Sequence, residues 1–234
     1  MIETRRPIPG GRIKLLLWDL DGTLVDSELD LAHSVNAMLR HLKRPELPVE
    51  VVASYVGDGA PMLVRRALGD PRDQDFLNSA LEYFMRYYRE HKLDNTFVYP
   101  GVAETLQAIH ERSKLKMAVL TNKPVNPSRD ICKGLNLSQY FLQIYGGNSF
   151  ATKKPDPHGA RVLMSELGAK PEETVMIGDS QNDVLTANNA GMYSVGVGYG
   201  LSPESLKIHP PDVMIDRAEE LLEVLGLEAV AQGR

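Results

Sequence analysis

The stretch KLLLWDLDGTLVDS, residues 14–27, constrains this chain more than any other. The apolar residues Leu15, Leu16, Leu17 and Trp18 read as a buried strand, and the run stops on two carboxylates, Asp19 and Asp21. Residues two apart on a strand point to the same side, about 6.5 Å apart along the chain. The two acids are therefore expected to project together from the C-terminal end of that strand. Gly22 allows a tight turn there, and Thr23 can bond the loop backbone. Two close carboxylates repel one another and need a cation or a shared proton. A hard divalent ion such as Mg²⁺, held by carboxylates, water and a substrate phosphate, is the simplest answer.

Two plainer readings compete with a metal site. An Asp-Gly pair makes ordinary turns, and acidic loops bind calcium. The calcium loop fails because glycine stands at the fourth position of this run, not the sixth, and no Glu stands at the twelfth. The turn-only reading is the weaker one, because here the acids close an apolar strand.

Further apolar runs at 13–18, 117–120, 141–145, 174–177, 193–197 and 213–215 have the length and composition of buried strands. Between them, residues 102–112, 126–135, 157–167, 180–190 and 218–225 carry apolar residues at spacings of three and four. Strand and helix alternating in this way predict an α/β fold, a Rossmann-like parallel sheet with helices on both faces. One region breaks the alternation. From about residue 26 to 98 no strand pattern is evident, and 27–42, 48–55, 61–68 and 75–91 read as helices. An insert placed after the first strand lands over the ligand crevice of such a sheet. The expected organisation is a core of residues 1–25 and 98–234, with 26–97 an inserted all-helical cap. Residues 1–11, with two prolines and two glycines, read as a flexible lead-in.

Bulk properties exclude several classes. The 234 residues suffice for a core domain with one insert, and 43% hydrophobic content supports a sizeable core. A net charge of −5 argues against non-specific nucleic-acid binding. No apolar run approaches the length of a membrane span, and the N-terminus lacks the apolar segment of a signal peptide. A single cysteine, Cys132, rules out an internal disulfide and a Cys-based zinc site and suits a reducing cytoplasm. The six histidines show no metal-ligand spacing. GVGYG at 196–200 lacks the spacing of a dinucleotide fingerprint and reads as a loop. The aromatic cluster around Tyr83 and Tyr88 reads as cap core.

Three more motifs follow in order. AVLTNKP, 118–124, ends a strand on Thr121 and Asn122, where a hydroxyl and a free N–H can hold a phosphoryl oxygen. ATKKPDP, 151–157, offers Lys153 or Lys154 as a cation for carboxylates and phosphate. VMIGDSQNDVLTANNAG, 175–191, places Asp179 at a strand end and Asp183 four residues on, at a helix N-terminus. Helix capping explains these two acids equally well and is compatible with metal binding.

An apolar strand followed by D-x-D-G-T, Asp19 to Thr23, resembles the signature of the haloacid dehalogenase superfamily, and the later motifs resemble its other sites. The resemblance implies Asp19 as nucleophile and metal ligand. It implies Asp21 as acid/base whose backbone carbonyl also meets the metal, and Thr121 as phosphoryl ligand. By its K-P-x-P pattern it selects Lys154 over Lys153, and by G-D-x-x-x-D it puts Asp179 on the Mg²⁺, with Asp183 behind it. An acid at position 21 favours phosphoryl transfer over dehalogenation, since a halide leaving group needs no proton. YVGDGAPMLVRRALG, 55–69, is similar to the cap segment of the phosphoglycolate phosphatase group. That similarity implies an Mg²⁺-dependent phosphate monoester hydrolase acting on 2-phosphoglycolate, with Asn122, Gly57, Gly59 and Arg66, or its neighbour Arg65, near the substrate. Alternatives are a hydrolase or mutase of another small phosphometabolite, such as a sugar phosphate or pyrophosphate, and a non-catalytic phosphate-binding or scaffold protein. The implied partner is a small phosphorylated metabolite, neither nucleic acid nor membrane; monomer and homodimer both stay open.

Overall fold

A computed structural model describes residues 2–228. Its first buried strand, β2 (Leu15–Trp18), follows the short β1 (Glu3–Thr4) and occupies the middle of a seven-stranded sheet. Its alternating side chains explain the layering. Leu16 and Trp18 enter one apolar cluster, with Val102, Leu106 and Ile109 of α5 (Val102–Arg112) and Ile131 of α6 (Val125–Gly134). Leu15 and Leu17 enter another on the opposite face, with Leu163 of α7 (His158–Leu167) and Ala187 of α8 (Gln181–Ala190). A strand apolar on both faces must be covered by helices on both, as a central parallel strand is.

β2 pairs in parallel with β5 (Lys116–Leu120) on one side and β7 (Thr174–Gly178) on the other. Beyond β5 lies β6 (Gln143–Tyr145), and beyond β7 lie β8 (Tyr193–Val197) and β9 (Val213–Ile215), all parallel. The chain thus winds outward from β2 through β5 to β6, then crosses back to β7 and winds the other way. That reversal opens a crevice at the carboxyl ends of β2, β5 and β7, the ordinary ligand position in such sheets.

Between β3 (Val25–Asp26) and β4 (Phe97–Val98) the chain forms α1 (Glu28–His41), α2 (Val49–Ala53), α3 (Ala60–Ala67) and α4 (Gln74–His91). These helices bury their own cluster, centred on Leu31, Val35, Met38, Leu63, Phe84 and Tyr88. β3 and β4 pair antiparallel at the neck of this unit. The Asp30 carboxylate sews the neck together, accepting bonds from Asn95 and Thr96 backbone N–H groups, the Asn95 amide and the Thr96 hydroxyl, at 2.7 to 3.0 Å.

The structure corrects the sequence reading at several places. Residues 1–11 are not merely a lead-in: β1 pairs antiparallel with β9, and Arg6 bonds Asp212 at 2.5 Å. A two-residue exposed strand has no hydrophobic alternation to betray it. The β3–β4 pair, at the edges of the strandless region, is equally short, and two residues a strand are too few to show a pattern. The strand expected at 141–145 begins only at Gln143, because Ser138–Tyr140 forms a 3₁₀ turn before it. α9 (Pro203–Ile208) and α10 (Glu220–Val224) complete the described chain. α9 has no counterpart in the sequence reading, being only six residues long with Leu206 its one buried side chain.

Candidate active site

β2 delivers Asp19 to the crevice, its N–H still bonded to the Ile177 carbonyl of β7 at 2.9 Å. Asp19 is buried, 7% exposed as a residue. Its Oδ1 accepts from the Leu20 N–H at 2.7 Å and from Lys154 Nζ at 2.9 Å. Among the described residues nothing bonds its Oδ2. Burial pushes the Asp19 carboxyl up to about 6, Asp183 adding to the rise while Lys154 opposes it.

β7 delivers Asp179, which is also buried. Its Oδ2 accepts the N–H groups of Leu201 and Ser202 at 2.8 and 3.0 Å, and its Oδ1 has no partner among the described residues. Burial, with Asp183 and Asp19 beside it, holds this carboxyl well above its usual range against those two bonds. Two glycines make the room: a Cβ on Gly22 would lie 2.2 Å from Asp179 Oδ2, and one on Gly200 would lie 2.3 Å from the Asp179 Cβ. Gly22 also holds a φ of +79°, open to glycine at little cost.

Asp183, in the first turn of α8, is saturated. Its Oδ1 takes Lys154 Nζ at 2.6 Å, and its Oδ2 takes the Ser180 N–H and hydroxyl at 3.1 and 2.8 Å. Burial alone would drive the Lys154 ammonium down, but Asp183 and Asp19 outweigh it and hold it up. Oxygens of Asp19, Asp179 and Asp183 lie within 4.8 Å of one another. Three buried carboxylates against one lysine leave negative charge that burial makes costly. The unpartnered oxygens on Asp19 and Asp179 suit a hard divalent cation, which takes oxygen ligands and brings the missing charge.

Asp21 serves a different partner. Past the end of β2 at Trp18 the two acids take different partners: Asp21 binds Lys123 Nζ through both oxygens, at 2.9 and 3.0 Å, and accepts the Ser27 hydroxyl at 2.6 Å. Lys123 is 5% exposed, and Asp21 holds its ammonium above the ordinary lysine range despite burial. The sequence reading missed Lys123. Its one signal was position, directly after Thr121 and Asn122 at the end of β5.

Asp19, Asp21, Thr121, Asn122 and Lys123 form the polar floor of a cavity that is open to solvent on one side. Its roof is largely apolar, with Leu31, Val56, Leu63, Phe84 and Met85, and the Gly57 and Gly59 backbone along one edge. Thr121 Oγ1 accepts the Lys123 N–H at 3.2 Å. The Asn122 Nδ2 is spent on structure, donating to the carbonyls of Gly57 and Lys154 at 2.9 and 3.0 Å, while its Oδ1 is buried without a partner among the described residues. Arg66 does not line the cavity. Its guanidinium bonds the Asp58 carboxylate and the Tyr55 carbonyl. Arg65 turns to Asp70 and the Pro71 carbonyl. Lys153 is exposed and reaches the Asp58 carbonyl, while Asn182 of α8 bonds the Asp58 carboxylate at 2.9 Å. Asp58 thus ties the helical unit to the sheet.

Residues 16–197 match the model of the haloacid dehalogenase-like hydrolase family. The chain belongs to that family. A phosphoglycolate phosphatase of Vibrio parahaemolyticus is 37% identical over 93% of this chain and 98% of its own. One of Pseudomonas syringae pv. syringae is 40% identical over 89% of this chain and 78% of its own. The crystal structure of a predicted phosphoglycolate phosphatase from Haemophilus somnus superposes with a TM-score of 0.86 at 32% identity, covering 91% of this chain and 98% of that one. Within the family, this chain keeps the D-x-D-G-T strand end that places Asp19 and Asp21 at the crevice.

Proposed function

We propose that this hydrolase cleaves a small phosphate monoester, 2-phosphoglycolate in first place, to glycolate and phosphate through an aspartyl-phosphate on Asp19. The observation that carries the reading is Asp19 itself, a buried carboxylate on the cavity floor with one oxygen held by Lys154 and Leu20 and the other unpartnered. A carboxylate fixed in this way is oriented for in-line attack on phosphorus. The names of the relatives support phosphoglycolate as the substrate.

Asp19, Asp179 and the Asp21 backbone carbonyl would hold Mg²⁺. When bound, the ion neutralises charge on the phosphate oxygens and draws electron density from phosphorus. Lys154 steadies Asp19 and, with the Thr121 hydroxyl, meets the equatorial oxygens, where charge resides in the transition state. Asp21, held in place by Lys123 and Ser27, gives its proton to the leaving alkoxide. It then takes one from the water that attacks the aspartyl-phosphate. Asp183 positions Lys154 and caps α8. Residues 26–97 act as a cap that excludes water while Asp19 attacks. Asn122 and Arg66 serve the substrate indirectly in this reading, by holding the 57–59 loop against the sheet.

A panel of phosphate monoesters, with kcat/KM measured for each in Mg²⁺ and in EDTA, tests the proposal. The expected result is a clear maximum for 2-phosphoglycolate and loss of all turnover in EDTA. A maximum for a hexose phosphate would replace the substrate, and absence of turnover on every ester would leave a phosphate-binding protein.

A further inference from the structure

The expected cations for a substrate carboxylate, Arg65 and Arg66, spend their guanidinium groups within the helical unit. Lys123 is the one cationic side chain lining the cavity among the described residues. An ammonium has three donors and no acceptor. Asp21 occupies two of them, at 2.9 and 3.0 Å. The ammonium lies 4.6 Å from the centroid of the Tyr88 ring, which reaches into the same cavity from α4.

Tyr88 is unusual in this roof. It is 2% exposed, and it is the polar side chain among the roof's apolar ones. Its hydroxyl has no partner of strict hydrogen-bond geometry among the described residues, and the Lys123 ammonium lies beside it, close enough to be drawn into a bond with it. Burial pushes this phenol up to about 12, so it is a donor at neutral pH. A buried hydroxyl without a partner is costly. Tyr88 and Lys123 together bring two desolvated donors, side by side, to the lining of one cavity.

We propose that Lys123 and Tyr88 form the subsite that selects a carboxylate on the substrate, both donating to it beside the ester oxygen that Asp21 serves. This rests on the monoester reading above and deepens it. A carboxylate is acceptor-only and takes several donors at once, which matches the two donors left open here. The distance along the ligand also fits. In 2-phosphoglycolate the carboxylate carbon is two bonds from the ester oxygen, and Lys123 is one hydrogen bond from Asp21. The apolar roof removes competing water, so a charge-assisted bond made there is strong. A sugar hydroxyl in the same place would leave the Lys123 ammonium without a counter-charge from the ligand.

The test uses binding rather than turnover. With Mg²⁺ present, dissociation constants are measured for two unhydrolysable phosphonates, 3-phosphonopropionate and propylphosphonate, which differ by a carboxylate against a methyl group. The wild type is expected to favour the carboxylate at least tenfold. Tyr88→Phe keeps the ring and removes the hydroxyl, and is expected to lose most of that preference. Lys123→Met is expected to lose all of it, and if it fails to fold Tyr88→Phe decides alone. A preference unchanged in Tyr88→Phe, or absent from the wild type, overturns the subsite. Preserved preference with no turnover of any monoester would support the subsite while sinking the hydrolase reading, so the two fail separately.

Discussion

Asp183→Asn separates a group that positions the site from one that holds the ion. The substitution keeps shape and volume at a side chain 1% exposed. Asp183 accepts three bonds, from Lys154 and from the Ser180 N–H and hydroxyl. An amide offers one acceptor oxygen. Turned toward Ser180, it sets its NH₂ against the Lys154 ammonium and forfeits a charge-assisted bond of about 1.5–3 kcal/mol. Turned toward Lys154, it strips the cap from α8, at about 1 kcal/mol. A loss of roughly 2 kcal/mol lowers Tm by about 4–8 °C in a chain of this size. Because both oxygens of Asp183 are engaged, its effect on the ion passes through Lys154 and through net charge. Outer partners of this kind cost about 10–100-fold in metal affinity. Calorimetric Mg²⁺ titration of the wild type, Asp183→Asn and Asp179→Asn measures this directly. The expected order is a 10–100-fold loss for Asp183→Asn and a larger one for Asp179→Asn. Equal losses would make Asp183 a direct ligand, and affinity within twofold of wild type would refute the chain of contacts through Lys154.

Three further outcomes follow from the same contacts. Asp30→Ala removes the acceptor for the Asn95 and Thr96 donors at the neck and is expected to cost about 2–4 kcal/mol in urea unfolding. Burial pushes the Asp30 carboxyl up, but those bonds outweigh it and hold it below its ordinary value. Its stabilisation is therefore complete above about pH 4–5, is lost as pH falls through the folded value, and is missing from the acid limb of the Asp30→Ala stability curve. Asp19 and Asp179 are both raised, so protons compete with Mg²⁺ nearer neutrality than ordinary carboxylates would; apparent Mg²⁺ affinity should climb steeply between pH 5 and 7, as titrations at each pH would record. Gly22→Ala drives a Cβ onto Asp179 Oδ2 at a positive φ and should abolish Mg²⁺ binding while the far-UV spectrum stays native.

The strands that carry Asp19, Thr121 and Asp179 were legible because each is an apolar run ending on polar residues, and burial on both faces leaves little freedom in such a pattern. The helix boundaries fall within one or two residues of the expected ones wherever a hydrophobic stripe faces the sheet, as in α5, whose span matches. Contacts made across the fold were not legible. Nothing local says that Lys123, 102 residues from Asp21, pairs with it, nor that Tyr88 of a helical core stripe lines the cavity beside Lys123. Arg66 shows the converse: a cation in a suggestive motif is bonded to Asp58, eight residues away on the same loop and helix. Spacing places residues on elements, but partners are chosen by tertiary geometry.

The turnover of Asp19→Asn tests the account most directly. The amide is isosteric and keeps an acceptor for Lys154, so the fold should persist, checked by Tm and by the far-UV spectrum. With the carboxylate gone, no aspartyl-phosphate can form. In Asp19→Asn, kcat on 2-phosphoglycolate at saturating Mg²⁺ is expected to fall at least about ten-thousandfold. A folded Asp19→Asn protein that turns over within about tenfold of the wild type would contradict it.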